Sequence, residues 1–350
     1  RNLKNGVYSV NATSLVVTVR PQPVTPVISG AETVCWNSQP NALTGVAATG
    51  GSSAAGTAPG FSYQWEESTD GGATWTSISG ATNFASYQPG YLYETTLYRL
   101  LATDQGSPSC FTSLASNSIE ITVRDPFTPS VVSTNGTANT FCNAGTVVLN
   151  ATATTGGSGP AYYYQWQESA DSLNWTNVGS LLNNTTSLTV TGVTSDTHYR
   201  IIAFDQGTPA CGSVFSINTV KAVIQTPVTE GSISGAQHIC AQTAPTSAIV
   251  DVVSGTGRGA ITYRWEESTD GGSTWNTITG ATGASYLPGI LNITTKYRRF
   301  AVSTLNGQVC ESTLATNEVE ITVDQLPIAT MTTTTDVTCV DASYSLSSVT

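Results

Sequence analysis

Apolar residues recur at every second position in three widely spaced segments: Ile119, Ile121 and Val123; Val220, Ala222 and Ile224; Val319, Ile321 and Val323. A period of two places successive side chains on opposite faces of an extended chain, so each segment predicts a strand with one buried face. A second recurring segment, Tyr63-Gln-Trp-Glu with counterparts at Tyr164 and Tyr263, sets aromatic residues on one side and polar residues on the other. In its first and third occurrences it runs into Ser-Thr-Asp-Gly-Gly, whose glycines accept the positive φ of a tight hairpin leading to Trp75 and Trp275. Tyr98-Arg-Leu-Leu-Ala continues the alternation, and Asp104-Gln-Gly-Ser-Pro turns the chain again. No stretch carries a helical period.

These segments repeat at a step near 100 residues: Trp65, Trp166 and Trp265 are 101 and 99 apart. That step is domain-sized and too long for solenoid units of about 20 to 50 residues. About seven short strands in each ~100 residues, with a buried Trp on a central strand and a later Tyr-bearing strand, fit an immunoglobulin-like sandwich. The fold class expected is all-β, tandem immunoglobulin-like β-sandwich domains in an extended array. Domains are expected at 21–124, 125–225 and 226–324, with 1–20 as the last strand of a preceding domain and 325–350 as the opening strands of a fourth. The chain reads as an interior piece of a longer array. Short Pro-containing segments, Arg124-Asp-Pro-Phe-Thr-Pro and Gln225-Thr-Pro-Val-Thr-Glu, join the domains and favour a stiff row.

The seven cysteines keep the same step. Cys35 to Cys110, Cys142 to Cys211 and Cys240 to Cys310 span 75, 69 and 70 residues, and Cys339 follows Cys240 by 99. One pair per domain is the pairing expected: Cys35 with Cys110, Cys142 with Cys211, Cys240 with Cys310, and Cys339 with a partner outside this sequence. Each closing cysteine lies 12 or 13 residues after its Tyr, so the bridge is not that of antibody domains. A first cysteine on an edge segment parallel to the last strand gives such a bridge, which would contribute ~4 kcal/mol. Buried thiols or a metal site are the competing readings; no Cys-x-x-Cys or neighbouring His favours metal.

Charge narrows the function. Charged residues are 10% of the chain and the net charge is -11, so there is no basic footprint for nucleic acid or an anionic membrane surface. No apolar run reaches the ~18 residues of a membrane span. His198 and His238 occupy different repeat positions, which leaves no basis for a Ser-His-Asp or Cys-His centre. Glu66 and Glu67, like Glu266 and Glu267, are adjacent on a strand and point to opposite faces, which precludes a glycosidase pair. Single acidic residues at the junctions, Asp125, Glu230 and Asp324, leave calcium there as an open alternative, although one carboxylate per linker supplies few of the oxygens that ion takes. No enzyme, metal or cofactor is expected. Arg99 and Arg298 are placed to meet Glu66 and Glu266 if the Tyr and Trp strands are neighbours. Trp75, Trp175 and Trp275 are either glycan platforms or packing residues of their hairpins.

Ser68-Thr-Asp-Gly-Gly-Ala-Thr-Trp75 and its copy ending at Trp275 resemble the structural Asp-box hairpin of sialidase propellers, without implying that activity. The longer string Tyr-Gln-Trp-Glu-Glu-Ser-Thr-Asp-Gly-Gly-x-Thr-Trp, followed by Ser-Gly-Ala-Thr, Pro-Gly-x-Leu and Thr-Thr-x-Tyr-Arg, resembles the Ig-like repeats of very large Bacteroidota surface proteins. Those proteins are similar to the mobile gliding adhesins exported by the type IX system. The resemblance implies a structural stalk or filament of an extracellular cell-surface adhesin, serving gliding or attachment. Its partners would be surface glycans, other surface proteins or further copies of the array. It also implies an O-glycan on Ser172, within Asp171-Ser-Leu. The alternatives are a glycan-binding array and the spacer of a secreted polysaccharide-degrading enzyme.

Overall fold

The computed structural model describes residues 17, 19–51, 60–183 and 185–325. The closing strand expected within 1–20 and the opening strands expected in 325–350, Cys339 included, lie almost wholly outside the described residues.

All regular structure among the described residues is β. Repeat 1 contains β1 (Val27–Ser29), β2 (Glu32–Val34), β3 (Leu43–Val46), β4 (Phe61–Ser68) and β5 (Thr76–Ser77). It closes with β6 (Ser86–Tyr87), β7 (Thr96–Asp104), β8 (Leu114–Ala115) and β9 (Ile119–Val123). Repeat 2 contains β10 (Val132–Ser133), β11 (Thr140–Cys142), β12 (Gly145–Ala151), β13 (Tyr162–Ser169) and β14 (Thr176–Asn183). There follow β15 (Leu188–Val193), β16 (Thr197–Asp205), β17 (Ser213–Phe215) and β18 (Val220–Gln225). Repeat 3 contains β19 (Ser232–Ser234), β20 (Gln237–Cys240), β21 (Val250–Val253) and β22 (Ala260–Ser268). Its remaining strands are β23 (Asn276–Thr277), β24 (Thr295–Leu305), β25 (Gln308–Glu311) and β26 (Val319–Asp324).

Each repeat folds as two sheets. In repeat 1 one sheet runs β1-β3-β6 and the other β2-β9-β7-β4-β5, with β8 beside β7. Repeats 2 and 3 reproduce the larger sheet as β11-β18-β16-β13-β14 and β20-β26-β24-β22-β23. The alternation in β7 is strict: Thr96, Tyr98, Leu100, Ala102 and Asp104 are buried and the intervening residues are not. Trp65, fully buried, packs with Tyr98, Leu100, Leu43, Ile28 and Ile121 between the sheets. Trp265 does the same with Tyr297, Ile249 and Ile321. The inward aromatic faces read from the sequence are therefore the sandwich cores, which gives tandem immunoglobulin-like sandwiches.

The first cysteine sits at the end of an edge strand parallel to the last strand, as the sequence predicts: Cys142 and Cys240 close β11 and β20, and Cys35 directly follows β2. β2 pairs β9 in parallel, β11 pairs β18 in parallel, and β20 pairs β26 in parallel. The second cysteine lies between the two strands of a hairpin in repeats 1 and 2, β7 and β8 or β16 and β17, and on the second strand of the matching hairpin, β25, in repeat 3. The chain forms two compact units. The first comprises repeat 1 and most of repeat 2; the second comprises repeat 3 with β11 and its neighbouring residues, Gly192–Ser195 and the end of β18.

Candidate functional site

The parallel edge fixes where the cysteines can go. Cys35 follows Val34, which is level with Val123, while Thr96 is level with Ile121 and β7 runs from there to Asp104 in the opposite direction. Cys110 lies beyond Asp104, so the two cysteines of repeat 1 are separated by about eleven residues of strand, or about 35 Å at roughly 3.3 Å per residue. A disulfide needs Cα atoms about 4.4–6.8 Å apart. The same register applies in repeat 3, where Thr295 is level with Ile321, Ser303 with Cys310, and Cys240 with Asp324.

The expected pairing within each repeat is therefore wrong. The structure joins Cys35 to Cys211, with Cα atoms 5.5 Å apart, and Cys142 to Cys310, at 5.6 Å. Neither Cys35–Cys110, Cys142–Cys211 nor Cys240–Cys310 forms; Cys110 and Cys240 are free and exposed. The first cysteine sits where the last strand ends, and the hairpin cysteine of the next repeat turns toward that end. The bonds thus run from each repeat to its successor, over 176 and 168 residues of chain. Chain-entropy reasoning assigns loops of that length about 5 kcal/mol each.

Local polar groups hold the hairpin cysteines in place. Asp104 accepts hydrogen bonds from the Gly106 and Cys110 amides at 3.0 and 2.8 Å, and Asp205 does the same for Gly207 and Cys211 at 3.0 and 2.8 Å. Burial pushes the Asp205 carboxyl up, but hydrogen bonds from Ser158 and the Cys211 and Gly207 amides outweigh it and hold the group below its ordinary range. Backbone contacts close the junctions: Arg124 donates to Ser158 O and Thr208 O, both at 3.3 Å. In the second unit Gln225, fully buried, donates to Gln308 O at 2.9 Å and accepts from Ser303 at 2.8 Å. Cys142 packs against the core of repeat 3.

The family of Domain of unknown function (DUF8696) matches residues 24–125, 131–226 and 229–325. The chain belongs to this family. No curated protein matches it. Among solved structures it is similar to domains A168–A170 of titin, at 15% identity and TM-score 0.35 over 88% of this chain and 100% of that one. It is also similar to the chicken CNTN1 FN1–FN3 domains, at 12% identity and TM-score 0.29 over 86% and 99%.

The tryptophan hairpins of the DUF8696 repeats are built as structural elements. Asp70 Oδ1 accepts the Ser68 hydroxyl at 2.7 Å and the Thr74 amide at 2.9 Å, and Asp270 repeats both contacts with Ser268 and Thr274. Gly71 and Gly72 take φ of 72° and 90°; in repeat 2, which lacks the glycines, Ser172 takes φ 63° in an exposed turn. Trp75 Nε1 donates to Gly72 O at 3.1 Å, and the Arg99 guanidinium covers the ring 4.2 Å from its centroid. Arg200 over Trp175 at 4.1 Å and Arg298 over Trp275 at 4.0 Å complete the set. Each arginine meets the strand beside it: Arg99 reaches Glu66 at 2.7 Å, Arg298 reaches Glu266 at 2.7 Å, and Arg200 reaches Gln167 at 2.9 Å. A sugar stacking on these rings finds one face taken and the ring donor engaged.

Three features escaped the sequence reading. The Asn that follows each closing cysteine is a clamp: Asn117 Nδ2 donates to Ile28 O at 2.9 Å while the Ile28 amide donates to Asn117 Oδ1 at 2.9 Å. Asn218 holds Val132, and Asn317 holds Ile233, in the same two-bond manner. The recurrence of Asn was visible; its strand-like amide pairing was not. The second feature is Arg299, whose side chain is 0% exposed and paired with Asp251, at a core position where the other repeats have Leu100 and Ile201. The third is an exposed aromatic cluster in repeat 1. Trp36 meets Tyr93 edge to face at 5.3 Å, and Tyr91 is 63% exposed nearby. Tyr91, Tyr93, Glu67, Glu94 and Thr69 line an adjoining cavity of about 310 Å³. Repeat 3 has Ala241, Ile290 and Asn292 at the corresponding positions.

His198 is half-buried and His238 exposed. Among the described residues no three His, Cys, Asp or Glu residues cluster as metal ligands, and no helix is long and apolar enough to cross a membrane.

Proposed function

We propose that this chain is a structural stalk or filament region of an extracellular cell-surface adhesin whose immunoglobulin-like repeats are locked to one another by disulfides. The observation that carries the reading is the placement of both bonds across junctions. A bridge inside a sandwich holds one fold together, whereas a bridge from one repeat to the next restricts movement at the linker, as a stalk under tension requires. Disulfides persist in oxidising compartments, which supports an extracellular setting. The resemblance of the repeat motifs to those of gliding adhesins supports surface attachment or gliding and export by the type IX route. Nothing in this region is assigned a catalytic role: Glu66 and Glu266 are engaged by arginines. Ser172, in its exposed turn, is the proposed glycan acceptor.

The test is limited proteolysis of intact cells and of the purified chain. The repeats are expected to be digestible on whole cells, with their cysteines oxidised. Reductant is expected to expose the linkers at Arg124 and at Gln225–Glu230 to cleavage before the sandwiches are attacked. A protein protected inside the cell with reduced cysteines contradicts the reading.

A second reading, recognition of a neutral glycan, is favoured by the Trp36, Tyr91 and Tyr93 cluster, which presents open aromatic faces beside the Glu67 and Glu94 carboxylates. Binding on a glycan array that is lost in Trp36→Ala and Tyr91→Ala but kept in Trp75→Ala would favour it.

A further inference from the structure

The two bonds obey one rule: the edge cysteine of a repeat joins the hairpin cysteine of the repeat that follows it. Cys240 is an edge cysteine like Cys35 and Cys142, at the end of a strand parallel to the last strand of its repeat. Cys110 is a hairpin cysteine like Cys211, held by the same two amide contacts to an aspartate, Gly106 and Cys110 on Asp104 as Gly207 and Cys211 on Asp205. Both free thiols are exposed.

A second observation shows that the junction on the N-terminal side of repeat 1 is already built. Arg20 donates to Pro108 O at 3.3 Å, on the hairpin that bears Cys110, just as Arg124 donates to Thr208 O at 3.3 Å on the hairpin that bears Cys211. The Gly51 amide donates to Pro21 O at 2.9 Å as the Gly157 amide donates to Asp125 O at 2.8 Å. The bridge Val24–Thr49 repeats as Thr128–Thr155. Residues 20–24 thus seat on repeat 1 as residues 124–128 seat on repeat 2, and at the second of these places the hairpin cysteine is bonded.

We infer that Cys110 and Cys240 are the open halves of two further staples, and that the partner of each is a cysteine of another DUF8696 repeat in the same array. Cys110 takes the edge cysteine of a repeat whose last strand leads into Arg20. Cys240 takes the hairpin cysteine of the repeat that follows Asp324. In each case two thiols release two protons and two electrons to the disulfide of a dithiol oxidase, which leaves as the dithiol, and one S–S bond forms. The array is then stapled at every junction and within no repeat. This inference rests on the junction geometry and does not depend on where the protein resides.

The test is a disulfide map of the protein isolated from its source, with thiols alkylated at lysis and peptides compared before and after reduction. Cys110 and Cys240 are expected in linked peptides with cysteines of neighbouring repeats, with no more than a few per cent alkylated. The Cys35–Cys211 and Cys142–Cys310 peptides serve as internal standards for the observed rule, so that their presence separates failure of the inference from loss of oxidation. Recovery of Cys110 or Cys240 as the alkylated thiol beside intact standards overturns the inference. So does a Cys110–Cys240 linkage, which would mark head-to-tail bonding between copies.

Discussion

Asp251→Ala removes the carboxylate that faces Arg299, the most deeply buried charge among the described residues. The Arg299 side chain is 0% exposed, its guanidinium lies 4.0 Å from the Tyr263 ring centroid, and Asp251, with its side chain 21% exposed, is its ionised partner. Without Asp251 the guanidinium keeps the Ala284 carbonyl and a long contact of 3.4 Å to Val253 O. Breaking a buried pair from one side costs about 3–5 kcal/mol, and the partial exposure of Asp251 points to the lower end, about 3 kcal/mol. The double variant Asp251→Ala with Arg299→Ile recreates the pair that repeat 2 carries at these positions, Ala151 and Ile201. Replacing a buried ion pair by apolar residues is commonly neutral or stabilising by about 1–4 kcal/mol. The assay is amide exchange of the strand Thr295–Leu305, read separately from the other repeats. Asp251→Ala should speed its slowest amides roughly 100-fold, since about 1.4 kcal/mol is a factor of ten, and the double variant should return them to the original rate or slower. A single variant that changes exchange less than about fivefold, or a double variant no slower than the single, refutes the reasoning.

Further outcomes follow from the clamps and hairpins. Asn218→Ala removes two hydrogen bonds to Val132 and should lower the stability of repeat 2 by about 2 kcal/mol, as calorimetry would show; an unchanged transition would mean the clamp is dispensable. The Thr74 hydroxyl, the Thr74 amide and the Ser68 hydroxyl hold the Asp70 carboxyl well below the usual carboxylate range, and the same contacts act on Asp270. Because these folded-state pKa values lie below the unfolded value, their stabilisation is present above about pH 4 and is lost as pH falls through the folded value. Carboxyl NMR should find both groups still ionised at about pH 3; titration near the unperturbed value of about 3.9 would contradict the hydrogen bonding. Arg99→Ala should weaken the Trp75 hairpin by about 0.5–2 kcal/mol through loss of the ring contact and the Glu66 pair, measurable as increased Trp75 exposure to a fluorescence quencher.

Much of the sandwich was legible because its signals are local. Period-two alternation in Thr96–Asp104 and Ile119–Val123 needs no knowledge of the rest of the chain, and Trp65 and Tyr98 are buried as that pattern requires. The Arg99–Glu66 contact was legible for the same reason, given that the two strands are neighbours. The cysteine pairing was not, because spacing counts residues along the chain while a disulfide requires proximity in space. The parallel edge strand, already expected for Cys35, puts that cysteine at the end of its repeat opposite to Cys110. Counting rungs along β7 and β9 shows this, but only with the register known. Arg299 is not legible as a core residue because an Arg in an alternating strand reads as outward-facing, whereas its counterpart Leu100 marks the position as inward. The partner that makes burial tolerable, Asp251, lies 48 residues away in a different sheet.

The most direct measurement on the junction staples is the identity of the thiol released by Cys35→Ser. In the purified, oxidised variant, alkylation followed by peptide mass analysis should find Cys211 newly labelled, with Cys110 labelled as it is in the unaltered chain and Cys142–Cys310 still linked. If Cys110 alone becomes newly labelled while Cys211 remains bonded to Cys142, the bridges lie within repeats and the account of a stapled array is contradicted.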